Sequence, residues 1–317
     1  MKTRFFLLFF LCTLFACNED FFSPIIEVEL PDVTPKLVIY GHTEEGVDTM
    51  NIIVTASRGI LDNRPFPEVT DTIWFPPGSS NFMIRQIQAM DTVNQVQLEM
   101  YKNNTLLASF HKHPQFIGVY TAVLNQSLVY EVGVSYTLRA SAPGFESIEA
   151  VSSIPQPVPI DSISFRRNIK VADPNDLTSL EEVNEFAISF SDPAGMDNYY
   201  KFSAVYQDTI QGVERPTHLF SLDFKSIYDQ LNDASFNGIA TTWNVHENVN
   251  HPQYGQYMVF SLHHISPSLY RYILSVRRYE NAQGDPFAEP IILYTNVKNG
   301  YGVFSMGSTR KYKIQVR

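Results

Sequence analysis

Apolar and polar residues alternate along most of the chain after Lys36. In the run VQLEMY, for example, Val96, Leu98 and Met100 alternate with a glutamine and a glutamate, so the two kinds of side chain point to opposite sides of an extended backbone. Similar runs, including KLVIYGH, MNIIVTAS, GVYTAV and VSYTLRASA, are separated by Gly, Asn, Pro and Asp, and KNNT has the composition of a hairpin turn. This pattern predicts a mainly β protein whose first part, residues 36–155, is an immunoglobulin- or transthyretin-like β-sandwich.

A proline-rich segment divides the chain into two parts. Residues 152–165 read SSIPQPVPIDSISF, and three prolines within five residues stiffen the backbone into an extended form. We therefore expect a domain boundary here, followed by a second β-rich domain over residues 156–317. Within the first domain, residues 61–92 include LDNRPFPEV and FPPGSS and predict an irregular segment, either a long insertion or a wandering edge.

Two segments of the second domain have helical features. In SPSLYRYILSVRRYENA, Ser266 suits an N-cap and Pro267 suits the first helical position. The apolar residues that follow recur with helical spacing, at Leu269, Tyr272, Ile273 and Val276. A helix near residues 267–282 is therefore expected, and DPNDLTSLEEV, residues 173–183, predicts one further short helix.

Composition excludes one class of partner. The chain of 317 residues is 44% hydrophobic, which is enough apolar surface for packed cores. Its formal net charge is -10, from 33 acidic and 23 basic residues, and the basic residues form no long cluster. Because nucleic-acid binding needs clustered Lys and Arg, we expect no nucleic acid as a partner.

The first 16 residues have the three parts of a secretory signal peptide. Lys2 and Arg4 precede the apolar run FFLLFFLCTLF, which is followed by the small residue Ala16. Cys17 comes next, and LFAC resembles the lipobox at which bacterial lipoproteins are cleaved and acylated on the cysteine. We expect Cys17 to carry acyl chains such as palmitate, and residues 17–35 to tether the protein to a membrane. An ordinary signal peptide with a chance cysteine is the alternative.

Two acidic residues follow the cysteine closely. Glu19 and Asp20 resemble the surface-export signal of Bacteroidota lipoproteins. On that resemblance, we expect the protein to be lipid-anchored in the outer membrane and exposed at the cell surface.

The sequence contains no recognisable catalytic motif. It has no nucleophile elbow, phosphate loop, dinucleotide fingerprint or metalloprotease motif, so we expect no enzyme, no cofactor and no metal site. Its eight histidines include three close pairs: His111 and His113, which should share one face of a strand; His263 and His264, which should point to opposite faces; and His246 and His251, which flank a loop. For each pair, we favour a surface or half-buried imidazole over a metal ligand.

Tyrosine is concentrated in the second half of the chain, where 12 of the 17 tyrosines lie at or after Tyr199. Tyrosine provides a large, stiff contact area with a polar tip, although it is also a good strand residue. The distribution predicts a binding surface that includes Tyr199, Tyr200, Tyr254, Tyr257 and Tyr301. Gly300 and Gly302 flank the last of these and predict a tight turn or a close backbone approach.

A short triplet recurs five times: Asp, then Ser or Thr, then an apolar residue. It resembles the acceptor of Bacteroidota O-glycosylation, although the same triplet is a common way to leave a turn and enter a strand. The hydroxyl residues of the candidate sites are Thr49, Thr72, Thr92, Ser162 and Thr209.

Several longer segments together resemble a known family. PKLVIYG, GVSYTLRASAPGFESIEAVSSIPQPVPIDSI, FSDPAGMDNYYKF, DASFNG, HHISPSLYRYI and DPFAEPIILYTNVKNGYGVFSM follow one another as in the Bacteroidota lipoproteins grouped as domain of unknown function 4249. The resemblance is most specific at Asn198-Tyr199-Tyr200, Phe236-Asn237-Gly238, Pro286-Phe287 and Asn299-Gly300. It implies an outer-membrane lipoprotein with a β-rich N-terminal domain, often encoded beside a TonB-dependent transporter, and it implies no catalytic residue.

These observations support three hypotheses. The first is a non-enzymatic, lipid-anchored envelope protein that binds a ligand or partner, as an accessory to a TonB-dependent transporter. The second is a surface hydrolase whose carboxylates and histidine come from distant strands, which requires a cleft with converging groups of perturbed pKa. The third is a structural or adhesive component, which predicts flat exposed aromatic patches and no pocket.

Overall fold

The alternating runs form strands that are bounded by the turn residues between them. The computed structural model describes residues 34–59, 68–74, 82–88, 91–173, 176–210, 213–220, 232–248, 256–283, 289 and 291–316. Within these ranges the chain has 18 strands and one helix. Five residues for which the sequence makes a prediction lie outside these ranges: Cys17, Glu19, Asp20, Tyr254 and His251.

The elements of the first half are ten strands. They are β1 (Leu37–Glu44), β2 (Thr49–Ala56), β3 (Glu68–Trp74), β4 (Phe82–Gln88), β5 (Gln97–Lys102), β6 (Thr105–Ser109), β7 (His111–Lys112), β8 (Val119–Val123), β9 (Tyr136–Ser141) and β10 (Ile148–Ser152). The second half contributes β11 (Ile160–Asp173), β12 (Asp176–Ser191), β13 (Tyr200–Ile210), β14 (Val213–Phe220), β15 (Ala240–Asn248), β16 (Tyr257–Ile265), α1 (Pro267–Ala282), β17 (Val297–Lys298) and β18 (Tyr301–Gln315). The expected mainly β fold is confirmed.

One long sheet contains strands from both halves of the chain. Its eight strands have the order β14-β13-β16-β18-β1-β2-β8-β7. Strand β18 pairs with β16 in antiparallel fashion over Gly307–Gln315, and with β1 in parallel over Tyr301–Gly307. The last strand of the chain is therefore the bridge between the first strand and the strands of the second half.

Two smaller sheets cover one face of this long sheet and enclose the two cores. The five-stranded sheet β17-β10-β9-β5-β6 packs on β1, β2 and β8, with Leu98, Leu138 and Ile52 in the shared core. The three-stranded sheet β11-β12-β15 packs on β13, β16 and β18, around Phe190 and Phe260. Both halves are thus β-sandwiches that share one sheet.

The opposite face of the long sheet carries the helix, and we call it the outer face. Ser266 Oγ accepts a hydrogen bond from Leu269 N at 3.3 Å, and Pro267 begins the helix, as the sequence predicts. Leu269 packs against Ile265 and Val303 of the sheet. The predicted helix at 267–282 is confirmed.

Two local predictions are wrong. Residues 176–183 of the predicted short helix belong to β12, which pairs with β11 and β15 along most of its length. Pairing with β11 from Asp176 to Val183 outweighs the weak helix propensity of the segment. The predicted irregular insertion at 61–92 contains the antiparallel pair β3 and β4.

The proline-rich segment lies where the two cores meet. Ile154 is buried in the first core and Val158 in the second, so the stiff stretch between them connects the two sandwiches. Residues 35–317 nevertheless cluster as one compact unit, because the long sheet contains strands of both halves. The division into domains at 155/156 stays a prediction. No helix in the ranges that the structure describes combines the length and apolar character needed to cross a membrane.

Candidate functional site

Polar residues gather on the outer face where β1, β18 and β16 run side by side. Odd-numbered residues of β1, such as Ile39, are in the core, so His42 and Glu44 face outward. In the register, His42 lies beside Ser305 of β18, while His263 of β16 lies opposite Thr309. The alternation of three strands therefore brings two imidazoles and a carboxylate to one place, which we call the histidine–glutamate cluster (His42, Glu44, His263).

His263 is hydrogen-bonded on both ring nitrogens. Its Nδ1 lies 2.6 Å from Glu44 Oε1, and its Nε2 lies 2.8 Å from Ser203 Oγ of β13. An ionised carboxylate only accepts hydrogen bonds, so Nδ1 carries a proton, and Nε2 accepts from the serine hydroxyl whenever the ring is neutral. Thr309 Oγ1, 2.9 Å from the same Nδ1, completes the surroundings of the ring.

His42 is positioned from two sides. Its Nδ1 lies 2.8 Å from Ser305 Oγ, and its Nε2 lies 3.6 Å from Glu44 Oε1. The ring lies over Gly307, where a Cβ atom would be 2.9 Å from His42 Cε1. A glycine at this position is what leaves room for the imidazole.

The two histidines set the charge of Glu44. Burial alone would raise the pKa of the Glu44 carboxyl, but the hydrogen bond from His263, the nearby ring of His42 and the charge of His263 together hold it well below its ordinary value of 4.5. Glu44 is therefore ionised at neutral pH although only part of its side chain is exposed.

A pH titration of stability should show this interaction. A carboxyl whose pKa is lowered by folding stabilises the folded state above its unfolded pKa, near 4.5, and this contribution is lost as the pH falls. We expect the wild-type protein to lose stability between about pH 5 and about pH 3, and Glu44→Gln to lose markedly less over that window. Urea unfolding at each pH measures the difference.

The control is Glu149→Gln, which removes an exposed carboxylate that pairs with Arg139 at 2.8 Å. Since solvent screens an exposed pair, its pH profile should follow that of the wild type. An equal loss of stability with falling pH in Glu44→Gln and wild type would contradict the assignment.

An open pocket of about 310 Å³ lies beside the cluster. Its walls combine aromatic and aliphatic side chains with hydrogen-bonding groups, and they are formed by Tyr40, His42, Asn51, Ile53, His113, Phe116 and Val119. The size falls at the lower end of the range for small-molecule sites, whose walls have the same mixed character.

Local hydrogen bonds fix which atoms of the pocket can donate. His113 Nδ1 accepts the backbone N–H groups of Gln115 and Phe116, each at 3.1 Å, so its Nε2 carries the proton. Asn51 Oδ1 accepts from the Thr121 hydroxyl at 2.6 Å, so the Asn51 amide nitrogen is the group that can donate to a ligand. The pocket thus offers neutral donors beside the aromatic rings of Tyr40 and Phe116.

The four predicted tyrosines within the described ranges do not form one surface. Tyr200 is 0% exposed and belongs to the second core, so it contributes nothing to a surface. Tyr199 is buried and stacks on Tyr270 at 4.4 Å between ring centroids. Tyr301 is 45% exposed at the start of β18, whereas Tyr257 pairs with Gln315 at the far end of that strand. The sequence could not separate strand tyrosines from surface tyrosines because both occur in the same alternating runs.

Two motifs of the resemblance meet in a buried polar network. The Tyr200 hydroxyl donates to Asp192 Oδ1 at 2.5 Å, and Gly238 N donates to Asp192 Oδ2 at 2.8 Å. Asn198 N donates to Asp233 Oδ2 at 2.9 Å. Burial, together with the Asp192 carboxylate, raises the pKa of the Tyr200 hydroxyl, which therefore stays protonated. The network links two loops and has a structural role.

Three of the five candidate modification sites are described with their side chains. Thr49, Thr92 and Ser162 are exposed, and the Thr49 hydroxyl donates to Asp48 Oδ1 at 3.1 Å. The side chains of Thr72 and Thr209 lie outside the described part of the chain. Glycosylation at these positions stays a prediction.

The adjacent residues His263 and His264 lie on opposite faces of β16. His264 is buried with its Nδ1 2.6 Å from Gln156 O, on the side opposite His263, so the prediction of opposite faces is confirmed. His113 lines the pocket, and His246 lies 3.2 Å from Glu185. Within the described ranges, no three His, Cys, Asp or Glu side chains are arranged to hold a metal ion.

Sequence reasoning missed the histidine–glutamate cluster. The run GHTE places His42 and Glu44 two residues apart, hence on one face of β1, which was the one local signal available. Ser203 and His263 come from other strands and share no local pattern with it.

A family profile described as "Domain of unknown function (DUF4249)" matches residues 24–313. The chain belongs to this family. Comparisons of this DUF4249 protein with curated proteins and with solved structures gave no match. The family description records no catalytic activity.

Proposed function

We propose that this DUF4249 protein is a lipid-anchored binding protein of the cell envelope. It holds a ligand or protein partner at the surface of the outer membrane and works as an accessory to a TonB-dependent transporter. The lipobox ending at Cys17 and the acidic pair Glu19 and Asp20 support the location. The resemblance to Bacteroidota lipoproteins supports the transporter as the partner.

One observation carries the binding role: the pocket beside β1. Tyr40 is 44% exposed and Phe116 56% exposed, so two aromatic side chains are available to a ligand or to a partner's side chain. The donors at Asn51 and His113 add directional contacts. A concave site of this composition favours binding over the structural or adhesive hypothesis, which predicts flat patches.

A pull-down tests the proposal in the protein as it exists. Tagged full-length protein, recovered from detergent-solubilised outer membranes, should co-purify a TonB-dependent transporter. Tyr40→Ala combined with Phe116→Ala should lower the recovery about tenfold or more, because aromatic anchors of an interface each contribute about 1–2 kcal/mol. Quantitative mass spectrometry of the eluate measures the recovery.

The matched control is Tyr279→Ala, because Tyr279 is 45% exposed and does not line the pocket. This variant should recover the transporter as the wild type does. Reproducible recovery of no transporter would reject the partner, and equal recovery by the pocket variant would reject the pocket as the contact.

A specific observation also keeps the hydrolase as the second candidate. Ser203, His263 and Glu44 are joined by two short contacts across three strands. The carboxylate and the histidine do come from distant strands, as that hypothesis requires.

A further inference from the structure

We propose that Ser203 is an activated nucleophile and that Ser203, His263 and Glu44 form a hydrolytic triad that acts on carboxylic esters. The proposal goes beyond the binding role, since it assigns a reaction to the outer face.

The contacts follow the order of a catalytic triad: a serine hydroxyl as nucleophile, a histidine as base and a carboxylate that orients the histidine. Ser203 Oγ lies 2.8 Å from His263 Nε2, and His263 Nδ1 lies 2.6 Å from Glu44 Oε1. A serine hydroxyl becomes a nucleophile when a histidine accepts its proton and a carboxylate orients that histidine through the other nitrogen. The three residues are 60 and 219 positions apart in the chain, so only the shared sheet brings them together.

Accessibility distinguishes Ser203 from the other serine near the cluster. Ser305 Oγ lies 2.8 Å from His42 Nδ1, and His42 also faces Glu44. Ser305 is 0% exposed, however, so a substrate has no access to its hydroxyl. Ser203 is half-buried on the outer face, because Phe202 and Ala204 on either side of it point into the second core.

The charges around Ser203 suit the reaction. Glu44 is held ionised by its hydrogen bonds and stabilises the imidazolium that forms when His263 takes the proton. Lys201 lies opposite His263 in the register, on the same face of β13 as Ser203. Lys311 lies opposite Ser261, which in turn lies opposite Ser203. Both lysines are exposed, so their positive charges lie on the same face of the sheet as Ser203.

The chemical step balances without a further reactant except water. The Ser203 proton passes to His263 Nε2 while Oγ forms a bond to the ester carbonyl carbon. The bond from this carbon to the alkoxy oxygen breaks, and His263 returns the proton to the departing alcohol. Water, deprotonated by His263, then cleaves the acyl–Ser203 ester, which releases the carboxylic acid and restores the serine hydroxyl.

The test combines a fluorophosphonate probe with hydrolysis of p-nitrophenyl butyrate by the purified full-length protein. The probe should label the wild type at Ser203, as mapped by mass spectrometry of peptides. Ser203→Ala should abolish labelling and ester hydrolysis, and His263→Ala should slow both by about a hundredfold or more. Glu44→Gln should slow them as well while leaving Ser203 in place.

The matched control is Ser191→Ala, because Ser191 Oγ donates to Asp161 Oδ2 at 2.9 Å but has no histidine partner. It should leave labelling and hydrolysis unchanged. Ser203→Ala should keep the wild-type thermal midpoint and transporter recovery, so a failed triad and a failed binding role are distinguishable. A wild type that is not labelled, a label at another residue, or equal ester hydrolysis by Ser203→Ala overturns the proposal.

Discussion

Replacing Gly302 with alanine is expected to lower the free energy of unfolding by about 3 kcal/mol or more. Gly302 has φ +96°, a backbone conformation that side chains disfavour, and a Cβ there would lie 1.9 Å from Ile39 O. Ile39 and Gly302 are partners in the parallel pairing of β1 with β18. The added Cβ would clash with a backbone oxygen of β1. Because β1 is hydrogen-bonded to β18, the two strands cannot move apart without breaking the sheet. Urea unfolding followed by circular dichroism measures the loss.

Gly133→Ala is the control that measures the cost of a positive φ without a steric clash. Gly133 has φ +74°, yet a Cβ there would have no heavy atom within 4 Å. Its substitution should therefore cost only the backbone preference, about 1–2 kcal/mol. If Gly302→Ala costs no more than Gly133→Ala, the tight approach of β1 and β18 is not what holds the long sheet together.

Strands, the helix start and tight turns could be predicted from the sequence because interactions between neighbouring residues determine them. Alternation identified the strands, and Ser266 with Pro267 identified the start of α1. In KNNT, Asn103 and Asn104 have φ of 46° and 68°, as a tight hairpin between β5 and β6 requires. The expected close approach at Gly302 is also confirmed.

The arrangement of the sheets could not be predicted in the same way. The pairing of β1 with β18 joins residues near opposite ends of the described chain, and no turn signal links them. The histidine–glutamate cluster depends on that pairing, since Glu44 belongs to β1 and Thr309 to β18. A local pattern reveals which side chains share a strand face, but only the strand order reveals which faces meet. For the same reason, the tyrosine-rich surface inferred from composition placed the core residue Tyr200 on the outside.

Replacing Cys17 with serine is expected to release the protein from membranes almost completely. Each buried methylene of an acyl chain contributes about 0.8 kcal/mol, so the two or three chains proposed for Cys17 would hold the protein far more tightly than one chain, whose binding is marginal and reversible. Loss of all chains should therefore lower the membrane-bound fraction about a hundredfold or more. Flotation of membranes on a density gradient measures that fraction, and intact mass measures the acyl groups.

Cys12→Ser is the matched control, because Cys12 lies within the apolar run that precedes the lipobox. Cys12→Ser should float with membranes and keep the acylated mass. If Cys17→Ser also floats with membranes, the prediction that acyl chains on Cys17 anchor the protein is wrong. Glu19→Ala with Asp20→Ala should stay acylated and membrane-bound but become protected from protease added to intact cells. The two experiments test attachment and export separately: on the proposed function, the cysteine is needed to hold the protein on a membrane, and the acidic pair is needed to carry it to the outer side of that membrane. If the protein is both acylated and exported, the pocket beside β1 is available to a ligand outside the cell.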